Sequence, residues 1–213
     1  MESGERSVAA FLEALGSSAP APGGGAASAL TGALGAALAE MVARFTVGRK
    51  RYAAVEERAA DILRQAEEAR QTLLTLADDD ERAYQQVAAA YQLPKATDEE
   101  RATRDIAIQA ALFQAMQPPL RAVRAARAVV GLAVEIAEIG NGTVVSDAGC
   151  AALLGEAAAR AAALNVQVNA NLLSDTLRAK AATGETQSLL AAAQVDCEKA
   201  VAATMRRMGV EAR

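Results

Sequence analysis

Apolar residues recur along this chain every three or four positions almost from end to end, the spacing of helices that bury one face. Val8, Phe11, Leu12 and Leu15 mark a short first helix, with Ser7 placed to cap it. Leu30, Leu34, Leu38, Met41, Val42 and Phe45 form one stripe on a second helix, begun by about Ala26, where Gly32 and Gly35 let a neighbour come close. Val55, Ile62, Leu63, Ala66, Ala69, Leu73 and Leu76 continue a stripe on a long third helix. It runs to Tyr91, with a bend expected near Asp78-Asp79-Asp80, and Pro94 stops it. Thr97 or Asp98 starts a fourth, with Glu100 completing a capping box from Thr97, and Pro118-Pro119 ends it. A fifth runs from Leu120 to about Ile139 and stops at Gly140-Asn141-Gly142. Ser146 caps a sixth, which passes Leu153, Leu154, Leu164, Val168 and Leu172 and reaches about Ala182, where Gly184 breaks it. A last helix carries Leu189, Leu190, Val195, Val201, Met205 and Met208. Thr143-Val144-Val145 leans towards β but is too short for a sheet. The expected fold is all-α, one domain over 1–213, an elongated antiparallel bundle of long helices.

Composition sharpens this picture. Apolar residues make up 52% of 213 residues, yet tryptophan is absent and Phe and Tyr occur three times each. The core is therefore rich in alanine, which favours helix and close helix approach but yields little burial per residue. Such a protomer gains from oligomerising. The net charge of −4, with no basic tract interleaved with aromatics, argues against nucleic acid. Glu2, Glu5 and Arg6 precede only a short apolar face, so no signal peptide is expected. The uncharged part of the second helix, Ala26 to Ala39, is too short to span a membrane. Cys150 and Cys197 read as free thiols of a reducing, cytoplasmic protein. The chain has no histidine, which removes Ser-His-Asp and Cys-His machinery and most zinc catalysis. Acid–base work must fall to Asp, Glu, Lys, Tyr, Cys or water.

Several segments have the residue types for chemistry. Pro20-Ala21-Pro22-Gly23-Gly24-Gly25 opens the second helix, and unpaired N–H groups there hold an anion or a carbonyl oxygen, or form only a tight turn. Asp78-Asp79-Asp80-Glu81 is a solvated acidic face, or turns Asp80 inward as a general acid or base on one face with Tyr84, Val87 and Tyr91. Lys95 is a surface lysine, or neutralises a carboxylate or a developing anion. Asn141 and Ser146 are cap residues or ligand contacts, and Asp147 sits where a helix dipole favours its charge or where it pairs with a cationic heterocycle. Asn165 and Asn169, one turn apart among alanines and valines, bond between helices or form the polar wall of a pocket. Gly48-Arg49-Lys50-Arg51-Tyr52 is a basic turn or a clamp for a polyanionic tail.

Taken together and in order, Pro22 to Gly25, Met41 to Tyr52, Asp80 to Tyr84, Leu93-Pro94-Lys95, Gly140-Asn141, Ser146 to Gly149 and Ala163 to Asn169 resemble the cyclodeaminase and methenyltetrahydrofolate cyclohydrolase family. The match fades beyond Asp175, and Asp79 to Arg104 looks closer to the cyclohydrolase branch. The formimidoyltransferase portion found in some members has no counterpart here, so a stand-alone form is expected. The resemblance implies a helical homodimer with its folate site near the interface, and a tetrahydrofolate substrate without a permanently bound cofactor or metal. It further implies hydrolysis of 5,10-methenyltetrahydrofolate, with cyclodeamination of 5-formimidoyltetrahydrofolate as the alternative and a non-catalytic folate binder or scaffold as the third reading. In the roles it suggests, Asp80 moves the proton, Lys95 orients water or stabilises the oxygen that becomes formyl, and Asp147 balances the substrate cation. Asn141, Asn165 and Asn169 hold the pterin, while Gly23, Gly24, Gly25, Tyr84 and Ser146 line the site and Lys50 and Arg51 face the glutamate tail.

Overall fold

The computed structural model describes residues 6–209, which leaves Glu2 and Glu5 outside the described residues. The described chain is all helix and turn. Its α-helices are α1 (Val8–Leu15), α2 (Gly24–Thr46), α3 (Glu56–Tyr91), α4 (Asp98–Ala115), α5 (Gln117–Ile139), α6 (Val145–Leu172) and α7 (Thr176–Arg207). At 36 residues α3 is about 54 Å long. Ser7 caps α1 by accepting from the Ala10 N–H, and the Thr97–Glu100 capping box starts α4, both as the sequence indicates.

Four boundaries differ from the sequence reading, each for a local reason. Pro118 and Pro119 begin α5 rather than end α4, because a first turn has no use for the N–H groups that proline lacks. α3 runs unbroken through Asp78-Asp79-Asp80. α6 starts at Val145 after a short 3-10 turn over Gly142–Val144, so Ser146 lies inside the first turn and does not cap it. The break between the last two helices falls at Leu173-Ser174-Asp175, not at Gly184. Gln109 of α4 donates to the Leu172 carbonyl and accepts from the Ser174 N–H, and Asp175 caps α7 through the Arg178 N–H. That corner satisfies the exposed backbone, whereas Gly184 sits mid-helix in open space at a propensity cost of about 1 kcal/mol.

The central helix is α2, packed against α3, α5 and α6. By length and hydropathy alone it is apolar enough to cross a membrane, longer than the sequence reading allowed, but more than half of that stretch is buried in the bundle. Ala26, Ala29, Ala36, Ala39, Val42 and Ala43 face inward, whereas in the bulkier stripe Leu34 and Phe45 are exposed and Leu30, Leu38 and Met41 are half-buried at the edge of the core. Small residues take the inside because α6 lies too close for anything larger. A Cβ on Gly35 would stand 3.0 Å from the Ala151 carbonyl oxygen. One on Gly155 would stand 2.8 Å from Val130. Gly24 faces Asn165, Gly32 faces Ala158 and Gly35 faces Leu154, so α2 and α6 run antiparallel. The same inversion holds on α6, where Ala148, Ala152, Ala159 and Ala162 are buried while Leu153, Leu164, Val168 and Leu172 are exposed.

Candidate active site

One cavity of about 310 Å³ opens where the start of α2, the middle of α3 and the ends of α4 and α6 meet. Gly23, Gly24, Gly25, Asp80, Tyr84, Asn165 and Asn169 line it, with Pro20, Ala21, Val87, Leu112, Ala115, Val168 and Leu172 as its apolar wall. Seven residues singled out from sequence thus converge from segments up to 146 positions apart.

Asp80 holds the centre. The first helical hydrogen bond of α2 runs from the Ala27 N–H to the Gly23 carbonyl, so the N–H groups of Gly24, Gly25 and Ala26 have no helical acceptor. Gly23 has no side chain to cap them. The Asp80 carboxyl arrives from α3 and accepts from Ala26, acting as a cap supplied by another helix. A Cβ on Gly25 would stand 2.1 Å from Asp80 Oδ1, so glycine is what lets the carboxyl seat there. Burial is the largest influence on Asp80 and raises its pKa above the ordinary value. The Ala26 hydrogen bond opposes this, and the neighbouring Glu81 charge adds to it. A carboxyl so placed takes and returns a proton near neutrality more readily than a solvated one.

The two asparagines present acceptors. Asn165 Nδ2 donates to the Ala161 carbonyl at 3.1 Å, and Asn169 Nδ2 donates to the Ala115 and Asn165 carbonyls at 3.3 and 3.0 Å. With both N–H groups of Asn169 and one of Asn165 committed to backbone, their Oδ1 atoms are placed to receive N–H donors of a bound heterocycle. The cavity therefore combines a proton-transferring carboxyl, two peptide N–H donors at Gly24 and Gly25, two amide acceptors and a flat apolar wall.

Six other residues read from sequence lie elsewhere. Lys95 is exposed in the α3–α4 connection, at the far end of α4 from Ala115. Lys50, Arg51, Asn141, Ser146 and Asp147 gather at the other end of α2, about 33 Å away along that helix. There Asn141 joins elements rather than facing a cavity. Its N–H donates to Thr46 Oγ1 at 2.8 Å, its Nδ2 donates to the Phe45 carbonyl at 2.9 Å, and its Oδ1 accepts from the Thr143 N–H at 3.0 Å. Its backbone is extended, not left-handed. Lys50, Arg51 and Ser146 are exposed and Asp147 is half-buried. The apolar wall from Leu112, Ala115, Val168 and Leu172 was not singled out in sequence, where these residues read as ordinary helix positions. Val168 and Leu172 flank Asn169 at three-residue reach, which is the only local sign they gave.

Comparison with known proteins places relatives along most of the chain. A family model described as formiminotransferase-cyclodeaminase matches residues 7–188. A methenyltetrahydrofolate cyclohydrolase of Methylorubrum extorquens is 47% identical over 190 residues, 89% of this chain and 91% of that protein. The formimidoyltransferase-cyclodeaminase of Rattus norvegicus is 34% identical over 171 residues, and this chain spans 32% of its length. The crystal structure of formiminotetrahydrofolate cyclodeaminase from Thermotoga maritima matches with a TM-score of 0.84 at 30% identity, covering 97% of both chains.

Proposed function

We propose that this chain, which belongs to the formiminotransferase-cyclodeaminase family, hydrolyses 5,10-methenyltetrahydrofolate to 10-formyltetrahydrofolate. The observation that carries the reading is Asp80, half-buried against the peptide N–H groups that start α2 and facing two amide acceptors in one cavity. The 47% identity to a cyclohydrolase favours this reaction among those of the family.

The substrate carbon bridges N5 and N10 as an amidinium cation. The ionised Asp80 lies opposite that charge and accepts a proton from water as the water oxygen bonds to the carbon. The adduct is a neutral tetrahedral carbinolamine. Asp80 then gives its proton to N5 as the carbon–N5 bond breaks, receives the hydroxyl proton as the carbonyl forms, and releases it to solvent. Gly24 and Gly25 N–H groups donate to the oxygen as it becomes the formyl oxygen, a role assigned from sequence to Lys95. Asn165 and Asn169 accept from ring N–H groups of the pterin, and Tyr84 with the apolar wall covers its face.

The same reading makes the active unit a two-fold dimer. Leu34 is 61% exposed, Leu164 69% and Val168 60%, on the adjacent α2 and α6. This largely apolar face, interrupted by Arg160, ends at the Asp80 cavity on one side and at Phe45, beside Asn141, on the other. A two-fold axis lying in the plane of this face and perpendicular to α2 near Leu34 sets the basic end of one subunit against the cavity of its partner. Lys50 and Arg51 then meet the glutamate tail of a folate bound in the other subunit. Arg49, Lys50 and Arg51 support this, since none has a carboxylate partner among the ion pairs of the described residues. Mixed dimers of D80N with the K50A/R51A variant test the sharing: about a quarter of the wild-type rate or more in the mixture, with neither parent active alone, supports it, and no recovery removes it.

Cyclodeamination is the second reading, favoured by the Thermotoga structure. There N10 attacks the formimidoyl carbon and ammonia leaves, through a tetrahedral carbon in the same position. Incubation with each substrate separates the two. Loss of methenyl absorbance above the buffer rate establishes hydrolysis, and growth of that absorbance with ammonia from 5-formimidoyltetrahydrofolate establishes the alternative. Neither change would leave a folate binder.

A further inference from the structure

Next to Asp80 on α3, Glu81 turns towards the chain just before α1. Arg6 Nη1 and Nη2 donate to Glu81 Oε1 and Oε2, each at 3.1 Å, a bidentate pair 75 residues apart in sequence. Both side chains are largely covered, at 23% and 13% exposure. Arg6 begins the strap that continues through α1, anchored by buried Phe11, and then supplies Pro20, Ala21 and Gly23 to the cavity rim. The ion pair therefore ties that strap to α3 one residue from the carboxyl that the reaction uses.

We propose that Arg6 and Glu81 act together as positioning residues for Asp80, Arg6 offsetting the Glu81 charge so that Asp80 senses a nearly neutral neighbour. The inference rests on Asp80 being the proton-transferring group. Among the described residues few other charges compete for the part. On α3, Asp79 is held by Arg82 and by Arg121 of α5. Half-buried Asp78 sits two positions away on the same helix. The start of α2 contributes peptide N–H groups, its first ionisable side chain being Glu40. The cavity residues of α4 and α6, Leu112, Ala115, Asn165, Val168, Asn169 and Leu172, cannot ionise at neutral pH. Glu81 is the charge that acts on Asp80 and raises its pKa, and Arg6 is bound to Glu81.

The sign of each perturbation follows. R6Q removes the Arg6 charge that offsets Glu81 and drives Asp80 further up. E81Q removes that charge, leaves Arg6 positive and drives Asp80 down. Loss of a purely structural clasp would instead move both variants the same way, or not at all. The test is a titration of the ligand-free dimer labelled with 13C at aspartate Cγ, the Asp80 resonance being the one missing in D80N. The pH profile of kcat/KM on 5,10-methenyltetrahydrofolate is recorded beside it. The expected result is opposite shifts of the Asp80 midpoint, upward in R6Q and downward in E81Q, with the R6Q/E81Q double variant between them. Shifts of one sign in both singles, or an unmoved midpoint, would overturn the proposal. If the midpoints move as expected while no variant and no wild-type sample turns over folate, the electrostatic coupling stands and the catalytic reading falls. If R6Q fails to fold, R6K keeps the charge and E81Q alone retains the sign test.

Discussion

Alanine substitution along Gly23-Gly24-Gly25 separates three effects within three adjacent residues. None of these glycines has a positive φ, so the added methyl acts through space alone. At Gly25 the new Cβ would stand 2.1 Å from Asp80 Oδ1 and 2.3 Å from Oδ2, where side-chain carbons do not come closer than 3.0 Å. The carboxyl must retreat by about 1 Å, and it can, being the end of a side chain. The helix survives, since alanine favours helix by up to about 1 kcal/mol over glycine. What is lost is the bond from Ala26 N–H, worth about 1.5–3 kcal/mol to a charged acceptor, and the alignment of the proton acceptor with water. A displacement of that size costs about 100-fold in rate. At Gly24 the Cβ would lie 3.5 Å from Asn165 Nδ2, an ordinary contact that narrows the cavity. At Gly23 it meets only the Pro20 oxygen, at 4.0 Å. Steady-state decay of methenyl absorbance, with melting curves of each variant, reads the series. G25A should lose kcat about 100-fold with a melting temperature lowered by only a few degrees, G24A should chiefly raise KM, and G23A should match wild type. Wild-type kcat in G25A would refute the claim that the start of α2 positions Asp80, and a collapsed melting temperature would show the clash to be structural.

The remaining predictions concern the same cavity and the outer face. In D80N, melting should rise at neutral pH and rise less near pH 4. Asp80 has a raised folded pKa, so its contribution is favourable below the ordinary carboxylate pKa and lost as pH rises through the folded value. Asparagine can still accept from Ala26, and calorimetric melts at the two pH values check this. Wild-type kcat/KM should fall as pH drops through the Asp80 pKa, which lies above the ordinary carboxylate value, and the buffer-corrected rate profile measures it. N165A and N169A should each raise KM about tenfold with less effect on kcat, by removal of an acceptor worth about 1–2 kcal/mol. L34E should convert the dimer to monomer in sedimentation and abolish activity at concentrations where wild type is dimeric, since it places a charge at the centre of the face.

Much of the fold was legible in the chain because helices announce themselves locally. Ser7, the Thr97–Glu100 box and Pro94 each act within four residues of themselves, and each does in the structure what its type requires. The errors came where a partner distant in sequence decides. Gln109 ends α6 and begins the corner to α7 from another helix, and nothing near Leu173 foretold it. The leucines of α2 and α6 looked like core because large apolar residues usually are, yet in a bundle of alanine and glycine contacts the small face packs and the large face is left over. The site divides along the same line. Asp80, Asn165, Asn169 and the glycines were readable as polar or side-chain-free positions on apolar helices. Asn141 was readable as polar but not as a tie between Thr46, Phe45 and Thr143, which depends on the fold having closed. That Lys50 and Arg51 stand at the opposite end of α2 from Asp80 follows only from the antiparallel packing of α2 and α3, which returns Asp80 to Gly25.

The most direct test of the central claim is the initial rate of methenyl absorbance loss for wild type and D80N at equal concentration, each corrected for the buffer reaction. The account predicts rapid hydrolysis by wild type and a loss of kcat of about 100- to 10,000-fold in D80N, with folate affinity within a few-fold of wild type. A D80N enzyme that turns over at the wild-type rate would contradict it, as would a wild type no faster than buffer.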